Sequence, residues 1–447
     1  GDTFGTTAIW DSIIYRALSQ RNIAVTQPKE HPSRSYDGAF VKEPQVGLHD
    51  WIVSYDVASL YPNLIVQLNM SPETIVGMKD DISIESYLDE KHDFFGENYS
   101  VACNGAMFLK TNRGFIPEIV AEYYDERKKI QAQLKKLKKE ECVDKVLLNT
   151  LKNTQLAIKI FLNSFYGALG SRFFRFYDVR VAEAITHSGQ AAIQWIQRAI
   201  NKYLQSINRT SLDYVVAIDT DSNYITLKGL VSTIEDAEKL SNRLEKVIAD
   251  ALKEFAKMTN SFESRLEMKR EIIADRGLWT AKKRYILQVI DDDGFRLTIP
   301  KIKVTGIEAV RSSTPEICRK WLKEMFKLIL NNSEEEIRKA HQEYLEKFKS
   351  LQPHEFAQTM TANNVKEFFD KEKIYSKGTP IHVRAALLYN HYLDVYKASS
   401  KYQKIKDSEK VKFIRLKTPN PFGEDVIGFI NVLPKEFGLQ DYIDYDT

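Results

Sequence analysis

Residues 214–227, YVVAIDTDSNYITL, read as two β-strands about a polar turn. Val215, Val216, Ala217 and Ile218 before the turn, and Tyr224 and Ile225 after it, are β-formers, and Asp219-Thr220-Asp221-Ser222 supplies the tip. A second apolar strand, WIVSYDV at 51–57, carries Ile52, Val53 and Tyr55 and then Asp56. A strand end and a hairpin tip fit side by side in one sheet, which brings the carboxylates of Asp56, Asp219 and Asp221 together. Carboxylates that close repel, and one stays protonated unless a cation intervenes. Mg2+ suits such a place, because it takes oxygen ligands from one or two carboxylates and completes its shell with water and phosphates. A pair of metal ions clamps the attacking and leaving oxygens of an in-line phosphoryl transfer. The plainer reading, a polar turn and nothing more, stays open at this point.

Working outward, Ser59 to Met70 reads as helix through Leu60, Leu64 and Leu68. Pro117 to Leu169 reads as two long helices joined near Glu140–Val143, an antiparallel hairpin. Arg127 to Lys139 holds seven basic residues and no acid, which by itself describes a solvated helix face as well as a binding one. Lys159, Asn163 and Tyr166, at offsets of four and seven, share one face of the second helix. Arg127 grips phosphate oxygens bidentately and Lys159 acts as a point charge, so the pair suits a nucleoside triphosphate, although each alone is equally a surface residue. Further helices are expected over Ala182 to Ser206 and Thr233 to Phe255, and strands over Glu267–Ala274, Leu278–Ile290 and Phe295–Val304. Asp291-Asp292-Asp293-Gly294 reads as a hairpin turn, and Lys282-Lys283-Arg284-Tyr285 as the start of a strand. Near the N-terminus Trp10 to Leu18 is amphipathic, and Pro28 to Pro44 is a loop that wraps over another surface. Residues 80–97 hold seven acids and one lysine and read as solvated surface. Beyond Ser313 the chain reads as largely helical and Lys-rich.

The whole chain has 447 residues, enough for several packing units, with 43% hydrophobic and 28% charged residues, which excludes a disordered or low-complexity chain. Net charge is only +3, so any nucleic-acid contact must come from local patches. Lys269 to Arg284 has six basic and two acidic residues, Lys401 to Lys417 seven and two, and Lys377 to Arg384 is a basic loop containing His382. Three such patches beside a metal site suit a channel for duplex phosphates. Cys103, Cys142 and Cys318 cannot build a disulfide framework, which points to a reducing compartment. No apolar run reaches the roughly 18 residues that span a bilayer, and no signal peptide is visible.

The motifs resemble a known family. Asp56-Val57-Ala58-Ser59-Leu60-Tyr61-Pro62 looks like the first palm motif of family B DNA polymerases. Lys159-Ile160-Phe161-Leu162-Asn163-Ser164-Phe165-Tyr166-Gly167 resembles the fingers-helix motif, Asp219-Thr220-Asp221-Ser222 the second palm motif, and Lys282-Lys283-Arg284-Tyr285 the duplex-contact motif, all in the family's order. Gly38 to Pro44, Ser312 to Pro315 and Lys417 to Pro421 resemble more narrowly the replicative polymerases of T-even-type bacteriophages.

The resemblance implies an α+β right hand. The palm is a mostly antiparallel sheet at 51–116 and 171–310, the fingers are a helix pair at 117–170, the thumb at 311–447 is mostly helical, and 1–50 is a connector packed on the palm. It implies template-directed DNA synthesis from dNTPs on primer–template DNA, in the cytoplasm of an infected bacterial host and with no membrane. The cofactor would be two Mg2+ ions, for which Mn2+ substitutes. Asp56 and Asp221 would be the principal metal ligands, with the Val57 carbonyl, and Asp219 an ancillary carboxylate. Ser59, Leu60 and Tyr61 would bind the nucleotide, Tyr61 lying under the sugar as a steric gate against ribose. Arg127, Lys159 and Asn163 would bind the triphosphate, and Tyr166 and Gly167 would pack on the nascent base pair. Lys282, Lys283, Arg284, Tyr285, Lys377, His382 and Arg384 would contact DNA, and Glu271 would support the metals.

The chain departs from the family in three places. Ala217-Ile218 stand where Tyr-Gly is usual, Gln131 stands where phage relatives carry a second triphosphate lysine (Lys128 or Lys129 would compensate), and Lys269 stands where an acid is common. The chain begins at Gly1 without Met, no exonuclease motif precedes the palm, and Thr447 falls short of the phage clamp-binding tail. The expectation is therefore a split or truncated polymerase with a separate exonuclease polypeptide and a sliding clamp as partners. Two alternatives are a non-catalytic DNA-binding or assembly subunit derived from a polymerase, and another nucleotidyl- or glycosyltransferase using Asp-x-Asp.

Overall fold

The computed structural model describes residues 5–25, 34–137, 144–331 and 333–445. Cys142, the expected helix junction at 140–143 and the start of the loop at 28–33 lie outside the described residues. The chain divides into two units, residues 1–275 with 289–299, and residues 276–288 with 300–447.

The first unit runs α1 (Thr6–Gln20), β1 (Gly47–Val57), α2 (Leu60–Gln67), β2 (Ile75–Met78), α3 (Ile84–Leu88), β3 (Tyr99–Val101), β4 (Ala106–Leu109), α4 (Phe115–Leu137), α5 (Lys145–Leu169), α6 (Val179–Asn208), β5 (Val215–Asp219), β6 (Ser222–Thr226) and α7 (Ile234–Met258). Strands β7 (Met268–Ala281), β8 (Arg284–Asp292) and β9 (Phe295–Thr305) then pass along the chain between the units. The main sheet has the order β5-β6-β1-β7-β8-β9. β1 sits inside it, and Ile52, Val53, Ser54 and Tyr55 are all buried, as a strand covered on both faces requires. Its pairing with β6 is antiparallel and sets Tyr55 opposite Asn223 and Asp56 opposite Ser222. Every strand pairing whose register is described is antiparallel, which gives the mixed α+β class.

Helices supply the rest of this core. Ile193, Ile196, Ile200 and Leu204 recur at helical spacing on α6, as do Leu240, Leu244, Ile248, Leu252 and Phe255 on α7, and all are buried. Thr233 caps α7 by accepting the Asp236 amide at 3.2 Å, and Glu235 and Asp236 in the first turn favour its dipole. Asp144 caps α5 through the amides of Val146 and Leu147. Trp10 of α1 stacks on Phe161 of α5 at 3.8 Å and donates to the Ser164 hydroxyl at 3.3 Å. Residues 40–45 run along the free edge of β5, where Lys42 and Gln45 donate to the Ile218 and Val216 carbonyls and the Thr220 amide donates to that of Phe40.

Two sequence expectations need correction. The acidic stretch 80–97 is not wholly solvated, because Ser83 caps α3 and Tyr87 and Phe94 are buried in the core, Tyr87 donating to the Val101 carbonyl at 2.8 Å. Lys282 and Lys283 do not begin a strand. They form the turn between β7 and β8, with Lys283 at φ 59°, so β7 runs unbroken through Asp275–Gly277, where the sequence reading left a gap. The Asp293-Gly294 turn, with φ of 55° and 82°, has the two positive angles that a two-residue hairpin turn demands.

The second unit contains α8 (Glu316–Asn331), α9 (Glu334–Phe348), α10 (Pro353–Phe356), β10 (Gln358–Ala362), α11 (Val365–Phe368), β11 (Phe369–Asp370), β12 (Ile374–Tyr375), α12 (Ile381–Val395), β13 (Glu409–Arg415) and β14 (Val426–Phe429). Helix exceeds strand, and Leu388, Tyr389 and Leu393 of α12 share one core with Val411, Phe413 and Val426 of the sheet β10-β13-β14. That sheet is not signalled by the Lys-rich sequence around it. No helix among the described residues is long and apolar enough to cross a membrane.

Candidate active site

The register of β1 against the β5–β6 hairpin builds the floor of the site. The Val57 amide donates to the Asp221 carbonyl at 2.9 Å, and the Ser222 hydroxyl donates to Asp56 Oδ2 at 2.8 Å. Thr220 turns the hairpin at φ 59°, and the Asp221 amide folds back onto the Asp219 carbonyl at 2.7 Å. Asp56 and Asp221 consequently line one cavity of about 630 Å³.

Around that floor the same cavity takes Ser59, Leu60 and Tyr61 from the turn into α2, Arg127 from α4, and Lys159, Asn163 and Tyr166 from α5. Ser59 sits at φ 50°, a left-handed turn that starts α2 directly after the strand, and its hydroxyl accepts from Arg127 Nη1 at 3.3 Å. Tyr61 and Tyr166 meet with ring centroids 4.7 Å apart at 50°. Val57, Asp219 and Gly167 are not in the lining. Asp219 forms a bridge with Val41, accepts from the Thr220 hydroxyl at 3.2 Å and reaches Asp221 through its field. Gly167 is exposed.

The electrostatics favour a bound cation and a bound anion side by side. Burial pushes the Asp221 carboxyl above the ordinary carboxylate range, and the charges of Asp219 and Glu271 add to this, while a backbone hydrogen bond and Lys159 oppose it. Hard oxygen donors in that state fit Mg2+. Among the described residues no group of three or more His, Cys, Asp and Glu side chains forms a metal centre, so any ion must also draw on backbone, water or substrate oxygens. Burial lowers the Arg127 guanidinium below its usual value, and among the described residues its Nε has no hydrogen-bond partner and no carboxylate pairs with it. A half-buried cation left in that condition is prepared for an anion. Burial, then Tyr166 and Asp221, push the Tyr61 phenol up, so it is neutral at ordinary pH.

The cavity also takes residues for which the sequence suggested no role at this site, Asp293 among them, which the sequence marks only as part of a hairpin turn. Tyr124 lies one turn before Lys128 on α4 and carries the Lys128 ammonium over its ring at 4.8 Å. Glu267, Arg270 and Asp293 enter from the start of β7 and the β8–β9 turn, beside Lys269 and Glu271. No local motif marks them, because only sheet order brings them here. Thr220, at the hairpin tip, lines the cavity too.

The remaining expected DNA contacts belong to the second unit. Lys282 and Lys283 occupy the β7–β8 turn, and Arg284 faces Glu308 at 3.7 Å. Tyr285 is buried and stacks on Trp279 at 5.4 Å, so its ring supports the turn from beneath. Lys377 is exposed, burial lowers the half-buried His382 below its usual pKa, and Arg384 is held by Asp425.

Comparison with known proteins agrees with this geometry. The family description "DNA polymerase family B" matches residues 5–413. The DNA-directed DNA polymerase of Escherichia phage RB69 is 30% identical over 95% of this chain and 54% of its own length. That of Enterobacteria phage T4 is 31% identical over 98% of this chain and 56% of its own. DNA polymerase 1 of Pyrococcus abyssi is 31% identical over 72% of this chain and 36% of its own. The chain thus spans about half the length of the phage relatives it matches. With a family match running from the first described helix to the penultimate strand, the chain belongs to DNA polymerase family B.

Proposed function

We propose that this chain performs the nucleotidyl transfer of a template-directed DNA polymerase, adding deoxynucleotides to a primer 3′-hydroxyl with release of pyrophosphate, in the cytoplasm of an infected bacterial host. The observation that carries the proposal is the convergence of Asp56 and Asp221 with Arg127 and Lys159 on one cavity. Asp56, Asp221 and the Val57 carbonyl would hold two Mg2+ ions, or Mn2+ in their place, which neutralise charge on the attacking and leaving oxygens. Asp219, from outside the lining, and Glu271, from within it, deepen the negative field at Asp221. Arg127 takes the triphosphate bidentately and Lys159 meets the charge that develops on pyrophosphate. Tyr61 supports the sugar, Asn163 joins Arg127 and Lys159 at the triphosphate, and Tyr166 and Gly167 face the base pair. In this reading 51–116 and 171–310 form the palm, 117–170 the fingers and 311–447 the thumb. Lys282, Lys283, Arg284, Lys377 and His382 follow duplex phosphates.

Primer extension with the purified chain tests this. Extension on a primer–template that needs Mg2+ or Mn2+ and stops with chelator is expected. Tight duplex binding with no extension in either metal would instead favour the non-catalytic assembly subunit.

A further inference from the structure

Gly189 lies buried in the middle of α6, a 30-residue helix. Glycine inside a helix is destabilising relative to alanine, so its place here calls for a reason in packing. A Cβ built on Gly189 would stand 2.9 Å from Tyr61 Cε1 and 3.5 Å from Tyr61 Cδ1 and Leu60 Cδ2. The first distance is shorter than real carbon contacts allow, so one edge of the Tyr61 ring rests on bare helix backbone. Tyr166 of α5 lies against the same ring, 4.7 Å between centroids. With α6 and Tyr166 both in contact with the ring, the cavity offers the space into which it can yield.

Resting on the function proposed above, we propose that Gly189 is a positioning residue for sugar recognition: the missing side chain lets Tyr61 seat deeply against α6 and thereby sets the room left above the ring for the nucleotide sugar. A methyl group at 189 moves the ring toward the cavity by several tenths of an ångström, into the volume the deoxyribose needs. Misplacement on that scale is enough to change rates severalfold or more.

The test is a double-mutant cycle of Gly189→Ala with Tyr61→Ala, read as kcat and KM for dNTP and rNTP on primer–template. Gly189→Ala alone is expected to raise the KM for dNTP by about tenfold, with a smaller change in kcat. Its thermal stability is expected to change little, since the gain from alanine as the better helix former is offset by the strain of displacing the ring. In the Tyr61→Ala background, where no ring remains to displace, Gly189→Ala is expected to change neither KM nor the dNTP/rNTP preference. An equal effect in both backgrounds, or an unchanged KM in the single variant, overturns the inference. A wild-type chain that extends primers while Gly189→Ala behaves identically sinks this inference and leaves the proposed function standing. If wild type extends no primer, dNTP titration onto the chain bound to a dideoxy-terminated primer–template reads the same cycle, and failure of wild type to bind dNTP overturns both.

Discussion

Arg127 illustrates how a single side chain reveals its task. It is half-buried, one nitrogen reaches Ser59, Nε has no partner, and burial lowers its pKa. A surface arginine has no reason to accept that state. Arg127→Ala is expected to raise the KM for dNTP by about tenfold to a hundredfold, with a smaller loss in kcat, and Arg127→Lys to recover only part, because a point charge cannot reproduce the fork. Steady-state kinetics on a fixed primer–template would check both. The sequence showed this arginine as one of seven basic residues on a helix, and nothing local separated it from Lys128 or Lys129. The separation comes from packing, which sets Arg127 against the start of α2 and leaves Lys128 over Tyr124.

At the scale of elements, a buried network steadies the strand beside the floor of the candidate site. Arg270 of β7 faces Asp291 of β8 at 3.5 Å, with side chains 12% and 2% exposed, and donates to the Ser241 hydroxyl of α7 at 3.1 Å. Its amide reaches Glu245 at 3.1 Å, Tyr55 donates to the Ser241 carbonyl at 2.8 Å, and the Asp293 amide closes on the Glu271 carbonyl at 2.7 Å. Asp291→Ala leaves a guanidinium buried without its counter-charge and is expected to cost about 3 kcal/mol or more. Paired replacement of Arg270 and Asp291 by apolar residues is expected to recover most of that, as read from urea midpoints. A second tie joins residues 40–45 to β5 and α6. Burial pushes the Asp213 carboxyl up, but hydrogen bonds from Lys42, Asn201 and the Val215 amide outweigh burial and leave it below its ordinary value. A folded pKa below the unfolded one gives stability that is present above the unfolded value and lost as pH falls through the folded one, here below about pH 4. Asp213→Asn should therefore be less stable than wild type near neutrality and lose less on acidification from about pH 5 to about pH 3, measured as melting temperature. The β5–β6 hairpin was legible because β-formers flank a polar tip. The Lys282-Lys283 turn was not, because a left-handed lysine carries no glycine or asparagine signal.

For the molecule as a whole, a net charge of +3 means that the proposed DNA affinity would have to come from patches such as Lys282–Arg284. The logarithm of duplex affinity should fall linearly with that of salt concentration, and Lys282→Ala and Lys283→Ala should each lower the slope by about 1, in fluorescence titrations across salt. The class of fold, and the meeting of Asp56 and Asp221 in one cavity, were readable because short motifs mark the strand end and the hairpin tip. Glu267, Arg270 and Asp293 were not, since they reach the cavity only through the order of strands in the sheet. The account rests on Asp56 and Asp221, 165 positions apart by number (221 less 56), acting on one substrate. Single-turnover primer extension by Asp56→Asn and Asp221→Asn, with duplex binding measured alongside, tests this most directly. A loss of about a thousandfold or more in each variant, with duplex affinity nearly unchanged, is predicted. Extension at close to the wild-type rate in either variant would contradict the account.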